Sequence, residues 1–122
     1  MDRSEFEALV RAALDELPEE FARRLENIEV VIEEEPSPAL LRALGIDPRR
    51  GTLFGLYQGV PLHQRGAGYG GVLPDKISIF RRPLLPACAS PERLREQVRR
   101  TVIHEIGHYF GLDDDEIRGL GY

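Results

Sequence analysis

The sequence predicts an α+β fold, a small sheet packed on helices, from three observations. An apolar stripe of helical spacing runs from Leu94 to Tyr109, and a second runs from Phe6 to Leu17. Three short β-type segments, at residues 28–33, 52–57 and 76–82, lie between them, separated by glycines and prolines. At 122 residues the chain has the size of one domain with one core, and residues 1–122 are expected to form a single unit.

Taken in order, Ser4 and Glu7 form a capping-box pattern ahead of Phe6, Leu9, Val10, Ala13, Leu14 and Leu17 on one face. Pro18 ends that helix and starts a shorter one through Leu25, with Phe21 and Leu25 facing inward. Ile28, Val30 and Ile32 alternate with Glu29, Val31 and Glu33, the pattern of a strand with one face buried. Consecutive carboxylates on an extended chain point to alternate sides, so Glu33-Glu34-Glu35 reads as a solvated strand end and not as a metal site. Ser37-Pro38 opens a short helix that closes at Gly45. A second strand from Thr52 to Tyr57 is interrupted by Gly55.

Residues 51–71 hold seven of the twelve glycines, and the part beyond the strand, with His63 and Gly66–Gly71, is expected to form a mobile loop. Gly66-Ala67-Gly68-Tyr69-Gly70-Gly71 lacks the Lys-Ser/Thr and the following helix that a phosphate-binding loop needs. The third strand, Lys76 to Arg82, is flanked by Pro74 and Pro83, which suits the edge of a sheet. Cys88 is the only cysteine, which excludes an internal disulfide and a cysteine metal cluster, and it reads as a small packing residue.

The long helix begins at Ser90-Pro91-Glu92, an N-cap, a proline at the first helical position and an acid in the first turn. Leu94, Val98, Val102, Ile106 and Tyr109 make its apolar stripe. Opposite that stripe, beside Gln97 and Thr101, stand His104 and His108. Residues four apart lie about 40° apart around a helix and one turn along it, so both imidazoles can reach one ion. Glu105 projects about 100° away, too far round to share the shell but able to serve a bound water as general base. Gly111 lets the chain leave through a left-handed turn, and Asp114, three residues on, can swing back to the same ion. Two neutral imidazoles, a carboxylate and an open position make a catalytic zinc shell. His63, in the glycine-rich segment, competes with Asp114 as third ligand. The remaining acids of Asp113-Asp114-Asp115-Glu116 suit the N-terminus of a last short helix.

The run from His104 to Asp114, H-E-x-x-H-x-x-G-x-x-D, resembles the metzincin signature with aspartate in place of the third histidine. With Gly55–Leu62 and Leu73–Leu84 included, the chain is similar, over roughly residues 20–122, to a family of minimal zincin-like domains of small bacterial metallopeptidases. The resemblance implies a zincin-like fold, a mixed sheet of three or four strands on an active-site helix, with Zn2+ held by His104, His108 and Asp114 and with Glu105 catalytic. It also implies a peptide or protein substrate along an edge strand, here the segment 76–82. The chain departs from larger zincins in two respects. Met1 is the only methionine, so no methionine turn underlies the site, and only eleven residues follow Gly111. A shallow, water-exposed site follows, with slow or partner-dependent hydrolysis. Oxyanion support would come from the metal with Tyr109 or Tyr122. The opposing expectation is a peptide-binding module that keeps the frame around a structural or vestigial metal site.

A net charge of −5 argues against a general nucleic-acid or anionic-membrane binder. No apolar run approaches a membrane span, and an acidic, amphipathic N-terminus without a signal-peptide core points to the cytoplasm.

Overall fold

The computed structural model describes residues 1–23, 25, 28–59 and 75–119. Helix α1 (Arg3–Asp15) buries Phe6, Val10 and Ala13, the face its spacing marks. Its cap is Asp2 and not Ser4: the Asp2 carboxylate accepts from Glu5 N at 2.8 Å. A charged oxygen placed before the first turn serves the free N–H groups better than a hydroxyl already inside it. Helix α2 (Glu19–Ala22) is one α-helical turn, Arg23 and Leu25 beyond it are 3-10 helical, and Phe21 and Leu25 pack against the core as expected.

Three strands follow among the described residues: β1 (Glu29–Glu33), β2 (Gly55–Gln58) and β3 (Lys76–Phe80). They form a mixed sheet of order β1-β3-β2, with β1 parallel and β2 antiparallel to β3. The segment 76–82 is therefore not an edge strand. Its paired part is central, with Ile77 opposite both Val30 and Tyr57, and Ile77 to Phe80 are all buried. Pro83, which suggested an edge, lies in the first turn of helix α4 (Arg81–Ala87), where a missing N–H breaks no helical bond.

Among the described residues, the strand at an edge beside the histidine-bearing helix is β2. It starts at Gly55, later than Thr52, and Phe80 N donates to Phe54 O at 2.9 Å. That bond sets the phase of the ladder. Leu56 turns its backbone groups to β3, whereas Gly55 and Tyr57 turn theirs outward.

Ser37 caps helix α3 (Pro38–Ala43), accepting from Leu40 N at 3.1 Å, and Gly45 at φ +79° ends the excursion. The acidic run between β1 and α3 is not simply solvated. Glu34 pairs with Arg81 at 2.9 Å and with Arg3 at 3.1 Å, tying α1 to α4. Helix α5 (Pro91–Tyr109) starts at Ser90, whose hydroxyl accepts from Arg93 N at 3.2 Å. Its stripe packs on α1 and on the face of the sheet carrying Ile77 and Ile79. Val98, Val102 and Ile106 are fully buried, each a contribution of about 1.5–3 kcal/mol. This burial fixes the rotation of α5, and with it the side that faces β2. Helix α6 (Asp114–Gly119) closes the described chain.

Candidate metal centre

Two close approaches set the frame around the histidines. A Cβ on Gly55 would stand 2.6 Å from Thr101 Cγ2 and 3.0 Å from Ser78 O, so β2 lies against α5 only because residue 55 is glycine. A Cβ on Gly107 would stand 2.6 Å from Ile117 Cδ1, so α6 presses onto α5 in the same way.

Between these contacts the chain turns sharply. Gly111 adopts φ +79°, Leu112 N donates to Gly107 O at 3.0 Å, and Gly111 N donates to His108 O at 2.9 Å. This is a Schellman ending, and the left-handed residue reverses the chain towards the histidines. Asp113 then caps α6, its Oδ1 accepting from Glu116 N at 2.8 Å. Asp115 pairs with Arg118, and both side chains are exposed. Asp114 alone of the three turns inward.

Asp114 Oδ1 lies 3.2 Å from His108 Nε2 and 3.7 Å from His104 Nδ1. On the other side of the His108 ring, Nδ1 lies 3.3 Å from Glu105 Oε2. The second Glu105 oxygen, Oε1, accepts from Tyr57 N at 2.6 Å, one of the outward-facing amides of β2. Glu105 is thus buried between the helix and the strand, while both histidines remain partly open to solvent.

A ring with a carboxylate oxygen at each nitrogen is best served by two N–H donors, which is the imidazolium form. The His108 pKa is accordingly raised to about 8, chiefly by the hydrogen bond to Glu105, against the opposing cost of burial. On the other side of the ring, the hydrogen bond between His108 and Asp114 holds the Asp114 carboxyl below its ordinary range.

A family model described as zincin-like metallopeptidase matches residues 25–122. The chain belongs to the zincin-like metallopeptidase family. A solved structure, a conserved hypothetical protein from Thermo thermophilus, is similar at 25% identity and a TM-score of 0.57, over 90% of this chain and 94% of that one. A comparison with curated proteins found no match. The α+β architecture expected for a zincin-like chain, with its small mixed sheet, is the one observed.

Zincin-like relatives imply zinc, and the donors here suit it in kind: two imidazoles and a carboxylate. Neighbouring donors around a tetrahedral zinc, with bonds of about 2.0–2.2 Å, stand roughly 3.3–3.6 Å apart. The 3.2 and 3.7 Å separations at Asp114 Oδ1 lie close to that spacing. Among the described residues, however, no three such side chains surround a common point as a finished metal group. The donors meet pairwise, His108 and Asp114 in a direct hydrogen bond.

His63 and Tyr122 lie outside the described residues. Tyr109 is buried in the core, its ring edge-on to Tyr57 at 5.7 Å and to Phe110 at 4.8 Å, so its ring packs there. Sequence reasoning missed Tyr57, whose backbone amide meets Glu105, and Gly107, the unconstrained fourth residue of the motif. Gly55 was read only as an interruption. No helix among the described residues is long and apolar enough to cross a membrane.

Proposed function

We propose that this protein is a zinc-dependent peptidase that binds an extended peptide along the outer edge of β2. The observation that carries the reading is that one oxygen of Asp114 stands 3.2 Å from His108 and 3.7 Å from His104, beside a buried Glu105. His104, His108 and Asp114 would hold the ion, which supplies Lewis acidity to the peptide carbonyl and to the attacking water.

The chain's own groups do the rest. With Asp114 turned to the ion, Glu105 Oε2 on Nδ1 of His108 would favour the tautomer that leaves Nε2 without a proton. The outward amide and carbonyl of Gly55 and Tyr57 offer an arriving peptide strand its ladder partners. A peptide that takes Tyr57 N–H releases Glu105 Oε1 from its 2.6 Å bond. The carboxylate is then free to accept a proton from the attacking water and return it to the leaving amine. Docking and base activation are thereby one event.

The second reading is a peptide-binding module without turnover. It is favoured by one observation: both oxygens of Glu105 are already engaged, by Tyr57 N and by His108. Zinc content and hydrolysis together separate the two. Protein purified without chelator or tag should carry close to one zinc per chain and cleave an unstructured protein slowly. Glu105→Gln should keep the zinc and lose about 10²–10⁴-fold of the hydrolysis. One zinc per chain with hydrolysis equal in parent and Glu105→Gln would reject the peptidase reading.

A further inference from the structure

A cleft of about 380 Å³ opens next to His104 and Glu105. Its walls are Phe54 and Gly55 from the start of β2, Gln97, Arg100 and Thr101 from α5, and Arg118 from α6. Its polarity opposes that of the whole molecule. The chain carries a net −5, yet two guanidinium groups line this cleft. The Glu105 carboxylate is occupied by Tyr57 N and His108. Arg118 is held by Asp115, in a pair whose side chains are 65% and 86% exposed, an arrangement of little net stability that yields readily to a better partner. Arg100 is exposed and has no ion pair or hydrogen bond among the described residues. An arginine that lines a cleft and has no acid of its own is placed to receive one.

Position adds to composition. Arg100, His104 and His108 are spaced four apart, so they form one row along α5, with about 6 Å of rise between neighbours. An extended peptide advances about 3.3 Å per residue. A peptide on the outer edge of β2, with its reacting carbonyl over the histidines, therefore brings a group one or two residues away to Arg100. The planar fork of arginine suits a carboxylate in two-point contact. The Thr101 hydroxyl, which accepts from Gln97 Nε2 at 3.3 Å, retains its own proton to donate.

We propose that this cleft is a carboxylate subsite, in which Arg100, assisted by Arg118, selects peptides with a carboxylate one or two residues from the bond that is cut. An acidic side chain and a free C-terminal carboxylate present the same chemistry. The inference rests on the peptide-binding part of the preceding reading and not on turnover.

The test uses the full chain with one equivalent of zinc and fluorescent peptides in two matched pairs. One pair differs only as Glu against Gln, with the C-terminus amidated; the other has no acidic side chain and differs as free acid against amide. Binding is read by anisotropy, and cleavage in the same samples by mass spectrometry. The parent should bind the acid of at least one pair about 10-fold more tightly than its amide twin. The pair that shows the preference identifies the source of the carboxylate. Arg100→Gln should reduce it to within about 2-fold at an unchanged melting temperature, and Arg118→Gln should reduce it in part. Equal binding within both pairs, or a preference that survives in Arg100→Gln, overturns the proposal. Absence of cleavage alongside an Arg100-dependent preference would count against the peptidase reading and for the carboxylate subsite.

Discussion

Ile117 lies on the bare backbone of Gly107, so close that a Cβ there would meet its Cδ1 at 2.6 Å and its Cγ1 at 2.8 Å. The contact couples the middle of the histidine motif to the helix that begins with Asp114. Through it, a residue that bears no donor decides where a donor stands.

Gly107→Ala should therefore weaken zinc binding by about tenfold or more although no ligand is touched. The clash should also cost about 1–3 kcal/mol, offset in part by the better helix propensity of alanine. Adding Ile117→Ala removes both colliding atoms and should recover most of the zinc affinity while leaving a core cavity. Calorimetric zinc titration of the single and double variants checks this. A single variant that binds zinc like the parent would show that α6 does not position Asp114.

The aspartates should separate cleanly. Asp113→Ala removes the cap on Glu116 N and should cost about 1 kcal/mol with zinc affinity nearly intact. Asp115→Ala should do little, because its partner Arg118 is exposed. Asp114→Ala should lower zinc affinity sharply. Thermal melts and zinc titrations on the three variants distinguish capping from ligation, and a zinc loss in Asp113→Ala equal to that in Asp114→Ala would contradict the division.

The raised His108 pKa gives a signed pH dependence. In the folded chain without metal it is about 8, against 6.5 for a free imidazole, so the folded state binds the proton more tightly. The stabilisation from His108 with Glu105 and Asp114 is fully present below about pH 6.5 and is lost as the pH rises through about 8. Zinc needs the deprotonated ring, so its apparent affinity should rise about tenfold per pH unit up to about pH 8 and level off above. Denaturant melts in chelator at pH 6 and pH 9 check the first statement. His108→Gln should remove that part of the pH dependence, and an identical slope in parent and variant would refute it.

How much of this was legible in the sequence follows from where each signal lies. Helix α5 was readable because its cap, its proline at N1 and its stripe are local features, and each is found where its spacing puts it. The turn at Gly111 was readable for the same reason, since a left-handed residue after a helix has a narrow choice of side chains. The place of β3 in the sheet was not. Prolines and basic residues beside a strand resemble edge protection, but which strands flank it depends on β1 and β2, which are remote in sequence. The close-packing role of Gly55 and of Gly107 is not legible, because a glycine required by close packing looks, in one sequence, like a glycine required by nothing. The link from Tyr57 N to Glu105 spans 48 positions and uses a backbone amide, which side-chain identity does not encode.

Gly55→Ala tests the second of these close approaches. The added methyl would meet Thr101 Cγ2 at 2.6 Å, pushing β2 off α5 and breaking the bond from Tyr57 N to Glu105. Peptide binding should fall more than zinc binding, because the strand edge moves while the histidines do not. Anisotropy with an extended peptide and a parallel zinc titration measure the two. Equal losses would mean that β2 is not the docking edge.

The metal shell is tested most directly by an anomalous-difference map, recorded at the zinc edge from crystals grown with zinc. A single strong peak within bonding distance of His104, His108 and an Asp114 oxygen, with Glu105 outside that distance, is the expected result. A peak ligated by His63 in place of Asp114, or no peak at these histidines, would contradict it.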